Sequence, residues 1–154
     1  MSVDQCLAGL VGSWKGTNNL YLSWEAEPIR QSPSEAIVKM KVAGQFVEIA
    51  YTWSFEGKPQ EGSIVIGCDN KSNAVQAVWT DSWHMSHKFM LCDGYIENRS
   101  RINVFGKYSV ADNEDWGWRT EIIPEADTFR YRMYNISPDG AEELAVDTEF
   151  TRVK

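Results

Sequence analysis

Apolar residues keep helical spacing up to Gly12 and alternate with polar ones from there to the C-terminus. Val3, Cys6, Leu7, Leu10 and Val11 recur at helical intervals, and Ser2 and Gln5 stand at capping-box spacing. Gly12 sits where a left-handed helix stop is wanted. These residues predict a short N-terminal helix, too short to be stable alone, whose apolar face must dock on something. The open end of a barrel is the natural place. After Gly12, the residues Trp14, Gly16, Asn18, Leu20, Leu22 and Trp24 share one face of a first strand, and Val38, Met40 and Val42 one face of a second. The third is the clearest, with Val47, Ile49, Tyr51, Trp53 and Phe55 alternating with Glu48, Ala50, Thr52 and Ser54. Further strands are predicted at Ile64-Ile66, Val75-Trp79, Phe89-Leu91, Ile102-Val104, Trp116-Ile122, Phe129-Met133 and Leu144-Phe150. A period of two turns one row toward a core and the other toward water.

Turn chemistry separates these runs at short intervals. The predicted breaks are Gln31-Ser32-Pro33, Ala43-Gly44, Glu56-Gly57-Lys58-Pro59, Asp69 to Asn73, a point near Ser82, Asp93-Gly94, Asp112 to Asp115, Pro124 to Asp127 and Ser137 to Gly140. That makes about eight to ten strands in a meander, with no helix of crossover length between them to support parallel pairing. Such a meander either stacks into a sandwich or closes on itself, and closure into an up-and-down antiparallel β-barrel removes both edges. The 154 residues carry no linker or repeat, so residues 1–154 are read as one all-β domain.

Charge narrows the range of functions. Acidic residues outnumber basic ones by 22 to 15, giving a net charge of -7, which argues against nucleic acid as a partner. The basic pairs Arg99/Arg101 and Arg130/Arg132 are read as cross-strand ion pairs on a solvated face. No apolar run approaches the roughly 20 residues needed to span a bilayer. The start of the chain lacks a secretory pattern. Cys6, Cys68 and Cys92 are odd in number and scattered, as expected of thiols in a reducing compartment, so the expected address is the cytoplasm.

Two stretches carry a resemblance. Gly12-Ser13-Trp14, after a short helix and opening the first strand, resembles the G-x-W signature of lipocalins and related calycins. That resemblance implies an Arg from the last strand packing across the Trp near the closed end, and Arg152 stands at the matching place. The runs Tyr51-Thr52-Trp53, Gly57 to Gly62, Trp79-Thr80-Asp81-Ser82-Trp83-His84-Met85, Asp115 to Arg119, Met133 to Ile136 and Glu142 to Val146 are similar to those of a bacterial family known as domain of unknown function 1579. The likeness runs from about Leu10 to Arg152 and implies a calycin-like barrel without an assigned activity. One calycin relative, nitrobindin, holds haem through a histidine late in its chain. No histidine follows His87 in this chain, so no haem or other cofactor is expected.

Candidate chemistry concentrates between Trp79 and His87. A turn at Asp81-Ser82 would bring Asp81 to His84, and a carboxylate beside an imidazole prepares a general base. The structural alternative is a hydrogen bond that caps the turn while the tryptophans pack. His84 and His87 with Asp81 fall short of a metal site, because a clear third ligand is missing. Tyr51, Trp53, Trp79, Trp118, Tyr131 and Met133 fall on inward rows, where they either line a cavity or fill the barrel. Together with Asp81, Trp83 and His84 they form the candidate ligand-binding set. Arg119, Glu121, Tyr134 and Asn135 are further polar candidates, with Arg119 and Glu121 expected to face outward. The leading expectation is a barrel that binds a small hydrophobic or aromatic molecule and is not an enzyme. The alternatives are an enzyme built on Asp81 and His84 at the barrel mouth, and a homodimer joined through an exposed patch at Trp116/Trp118.

Overall fold

The computed structural model describes residues 5–154. A four-residue helix α1 (Gln5–Ala8) leads into ten strands: β1 (Gly12–Tyr21), β2 (Ile29–Lys41), β3 (Phe46–Phe55), β4 (Lys58–Asp69), β5 (Ala74–Asp81), β6 (Met90–Glu97), β7 (Arg101–Tyr108), β8 (Trp116–Pro124), β9 (Thr128–Ile136) and β10 (Glu142–Arg152). Each strand pairs antiparallel with its neighbour in sequence, and β1 pairs with β10 to close the barrel. This is the closed up-and-down antiparallel barrel expected from the alternation. The expected capping pair Ser2/Gln5 and the apolar positions Val3 and Cys6 fall outside the described side chains.

Closure puts one row of every strand inside. Trp14, Leu20, Val38, Val47, Ile49, Ile64, Ile66, Val75, Trp79, Ile102, Val104, Ile122, Phe129, Met133 and Phe150 are all essentially inaccessible. Outward residues pair across strands instead. Arg101 reaches Glu121 at 3.5 Å, Arg132 reaches Asp147 at 3.4 Å, and Arg130 meets Glu149. Arg119 also faces outward. It makes a two-pronged contact with Glu142 (2.9 and 3.0 Å) and lies 4.0 Å over the Tyr134 ring.

Four details depart from the pattern read along the chain. Gln31-Ser32-Pro33 is not a break but part of β2. Pro33 pairs with Thr17 of β1, while pairing with β3 begins only at Glu35, so the proline occupies a one-sided stretch where its missing N–H is tolerated. Trp24 and Val42 lie beyond their strands and are exposed, and Met40 at the end of β2 is partly so. Asp93-Gly94 is not a turn either. Gly94 sits within β6, where a Cβ would come within 1.8 Å of the Asn103 carbonyl oxygen, and the reversal falls at 98–100. Finally, Phe89 and Leu91 face solvent. The run Phe89-Met90-Leu91 is apolar in both parities, and pairing of Trp79 with Met90 and Ala77 with Cys92 turns Met90 and Cys92 inward.

One end of the barrel is closed by α1. Leu7 and Leu10 are buried there beside Trp14, Phe129 and Phe150. Trp14 meets Phe129 edge-on and Phe129 stacks on Phe150, both with ring centroids 4.8 Å apart. The Trp14 indole N–H donates to the Leu10 carbonyl at 2.8 Å. Arg152, opposite Trp14 in the β1–β10 register, lies 4.2 Å over its ring and donates to the carbonyls of Val11 and Gly9. The Arg–Trp packing implied by the calycin signature is therefore present.

Candidate functional site

The opposite end is built from the connections 22–28, 82–89, 109–115 and 137–141 and the tight reversal Glu56-Gly57. Both residues of that reversal have positive φ (49° and 76°), the requirement of a two-residue hairpin whose twist matches its strands. The strand β5 carries Val75, Ala77, Trp79 and Asp81 on its inward row, which places a carboxylate inside the barrel. A buried charge must be hydrogen-bonded to persist, and the Asp81 side chain, 1% exposed, accepts five hydrogen bonds. Its Oδ1 takes the backbone N–H groups of Trp83 and His84, each at 2.9 Å, and lies 3.1 Å from His84 Nδ1. Its Oδ2 takes the Tyr51 hydroxyl at 2.8 Å and the Trp53 indole N–H at 3.3 Å. The Trp79 indole N–H in turn donates to the Tyr51 oxygen at 2.9 Å.

The chain thus turns at Asp81-Ser82, and the turn brings His84 back to the carboxylate. Capping and dyad formation are one structure here, because the same oxygen serves both. Burial pushes the Asp81 carboxyl up, but the hydrogen bond and charge of His84, the His84 backbone N–H and the Tyr51 hydroxyl outweigh it and hold the carboxyl below its ordinary range. Asp81 therefore stays ionised, so His84 Nδ1 is the donor, and the proton of a neutral ring is fixed on that nitrogen. Burial raises the hydroxyls of Tyr51 and Tyr131 well above the usual tyrosine range. Gly62 makes room for this cluster, since a Cβ there would fall 2.3 Å from the Tyr51 hydroxyl and 2.9 Å from Asp81 Oδ2.

Around His84 stand four indoles. Ring centroids lie 5.6 Å away for Trp53, 5.5 Å for Trp79, 4.7 Å for Trp83 and 5.5 Å for Trp118. Trp79 and Trp118 are themselves stacked at 5.2 Å with an interplanar angle of 10°. Above this group lies a cavity of about 220 Å³, lined by Trp79, Trp83, His84, Met85, Met90, Tyr108, Trp118 and Asn135, with Leu20 to Trp24 and Glu143 to Ala145 at its sides. Ala145 occupies an irregularity in β10, where the register with β9 shifts between Leu144 and Val146. Such bulges re-aim side chains beside sites.

The candidate set thus divides by depth. Trp79, Trp83, His84 and Trp118 form cavity wall. Tyr51, Trp53 and Asp81 make the polar layer behind it. Tyr131 and Met133 lie on the inward row of β9, with Tyr131 against Tyr51 (centroids 5.4 Å apart), and take no part in the wall. Of the other polar candidates, Asn135 lines the cavity and accepts the Tyr108 hydroxyl, whereas Arg119, Glu121 and Tyr134 belong to the outer ion-pair surface. Met85, Met90 and Tyr108 were missed. Tyr108 ends β7, Met85 lies within the 82–89 connection and Met90 opens β6, so only closure of the barrel brings Tyr108 to the methionines.

Trp118 does not form an exposed patch with Trp116. It is 6% exposed and stacked inside, and the exposed apolar residues of the outer surface include Phe89, Leu91, Tyr95 and Phe105 instead. Cys92 is buried, with its thiol pushed up to about 12 by that burial and by Asp93, which leaves it unsuited to act as a nucleophile. Among the described residues no group of three His, Cys, Asp or Glu is placed to hold a metal. No helix among them is long and apolar enough to cross a membrane.

The family model described as "Protein of unknown function (DUF1579)" matches residues 2–152. The chain belongs to this family. A comparison with curated proteins finds no match. Among solved structures, the chain is similar to that of Rv2717c from M. tuberculosis, with a TM-score of 0.69 at 12% identity over 99% of this chain and 100% of that one. A redesigned β-barrel matches with a TM-score of 0.51 at 11% identity over the whole of both chains. At such identities the likeness speaks for the barrel fold alone.

Proposed function

We propose that this family member binds a small, flat, mainly apolar molecule at the loop-built end of its barrel. The observation that carries this reading is the cavity of about 220 Å³ walled by Trp79, Trp83, Trp118 and the methionines Met85 and Met90. Drug-sized pockets run to roughly 300–1,000 Å³, so this one suits a molecule of one or two rings. Aromatic faces offer offset stacking to such a ring, and methionine adapts to its outline. Trp118 adds a buried indole N–H that has no hydrogen-bond partner among the described residues. The buried thiol of Cys92 fits a reducing compartment, and we place the protein in the cytoplasm.

Calorimetric titration with toluene tests the reading against a variant that plugs the cavity. Ala145→Phe adds a ring at the bulge, on the cavity wall. Toluene is expected to bind the wild type and not Ala145→Phe; absence of heat with both proteins would sink the proposal. One observation favours a second reading, an acid–base enzyme: Asp81 and His84 are within hydrogen-bond reach beside the same cavity.

A further inference from the structure

The cavity's only imidazole is held in one orientation. Asp81 is not part of the cavity wall, whereas His84 is, so the ring stands between the carboxylate and the open volume. With Nδ1 committed to Asp81, the opposite nitrogen, Nε2, makes no hydrogen bond among the described residues. In a neutral ring whose proton sits on Nδ1, Nε2 carries a lone pair and accepts. The His84 side chain is only 12% exposed, and four indoles occupy its flanks, so the ring's remaining open side is the one toward the cavity. A ligand that supplies a donor to this fixed acceptor inside the apolar wall gains a hydrogen bond there. The orphan N–H of Trp118, in the same wall, lacks the converse: an acceptor. A hydroxyl group has both characters.

Resting on the cavity reading, we infer that the ligand is a hydroxylated aromatic of the phenol type, with its O–H donated to His84 Nε2 and its ring among Trp79, Trp83 and Trp118. The apolar wall accounts for the ring and the Asp81-oriented imidazole for the hydroxyl. An ether of the same shape fills the space but cannot donate, so the two differ at one hydrogen bond. A site built to pair with a hydroxyl discriminates strongly against an analogue lacking it.

The test is calorimetry on the full chain with p-cresol and p-methylanisole. We expect p-cresol to bind wild type at least about tenfold more tightly. His84→Phe is expected to abolish that preference while still binding p-methylanisole. Equal affinities in the wild type, or a preference that survives His84→Phe, overturn the inference and leave the cavity reading standing. If neither compound binds the wild type, both fall. A second measurement on the wild type is independent of how the variant folds. The chain has two histidines, and the nitrogen resonances of each imidazole can be followed by NMR. Addition of p-cresol is expected to move His84 Nε2 away from its lone-pair position while His87 stays unchanged and p-methylanisole moves neither; a stationary His84 with p-cresol bound refutes the hydrogen bond.

Discussion

The two ends of the barrel use the same alternating strands to opposite effect. At the end beneath α1, aromatic side chains meet one another directly, and the polar groups close to them are engaged: an indole N–H on the Leu10 carbonyl, and a guanidinium on two carbonyls and an indole face. The connections there, 42–45, 70–73, 98–100 and 125–127, are short. At the other end the connections are mostly longer, one strand carries an irregular register, and a carboxylate is buried. Rings there stand around an imidazole and leave space beyond it. The lesson is that ring content does not decide between plug and pocket. An end sealed by a docked helix packs its rings into a plug, whereas an end whose rings gather around a buried carboxylate and imidazole leaves volume beyond them.

The largest expected effect sets the two ends against each other. Trp14→Ala removes a fully buried ring from the sealed end and is expected to cost about 3–5 kcal/mol in denaturant unfolding. Trp83→Ala, a partly exposed ring at the open end, is expected to cost less than half as much while weakening aromatic binding. Equal losses would erase the distinction. Next in size is Asp81→Asn, expected to cost about 1–3 kcal/mol by leaving buried donors poorly matched. Its signature is local. Amide exchange is expected to quicken at Trp83 and His84 but not in the 98–100 and 125–127 reversals, and quickening at both ends would show that the carboxylate holds more than its own connection.

The smallest effect is on acid stability. Because Asp81 is held below its ordinary range, its ionised form contributes stability that is complete above the unfolded-state value of about 3.9 and is lost as pH falls through the lower folded value. The margin of wild type over Asp81→Asn is therefore expected to be level at neutral pH and to shrink below about pH 4. A margin that widens on acidification would reverse the assigned sign.

Much of the architecture was legible along the chain, as the clean alternation from Val47 to Phe55 shows. The errors came where local signals have two physical meanings. Gly94 looked like turn chemistry, but it is required by close approach of a neighbouring strand. Phe89 to Leu91 is apolar in both parities, so only the partner strand could choose the inward row. The site divides in the same way. Asp81, His84 and the indoles were singled out from one stretch and from inward rows, whereas Met85, Met90 and Tyr108 gave no separate signal.

What the sequence determined by itself is therefore the period: a residue's side of a strand follows from local geometry and needs no knowledge of distant chain. The tertiary structure alone decided which inward residues share a level of the barrel, that the turn after Asp81 returns an imidazole to its carboxylate, and that volume remains beyond it. Those are consequences of register and closure, which bring together residues far apart in sequence, such as Tyr51 with Asp81 and Trp79 with Trp118.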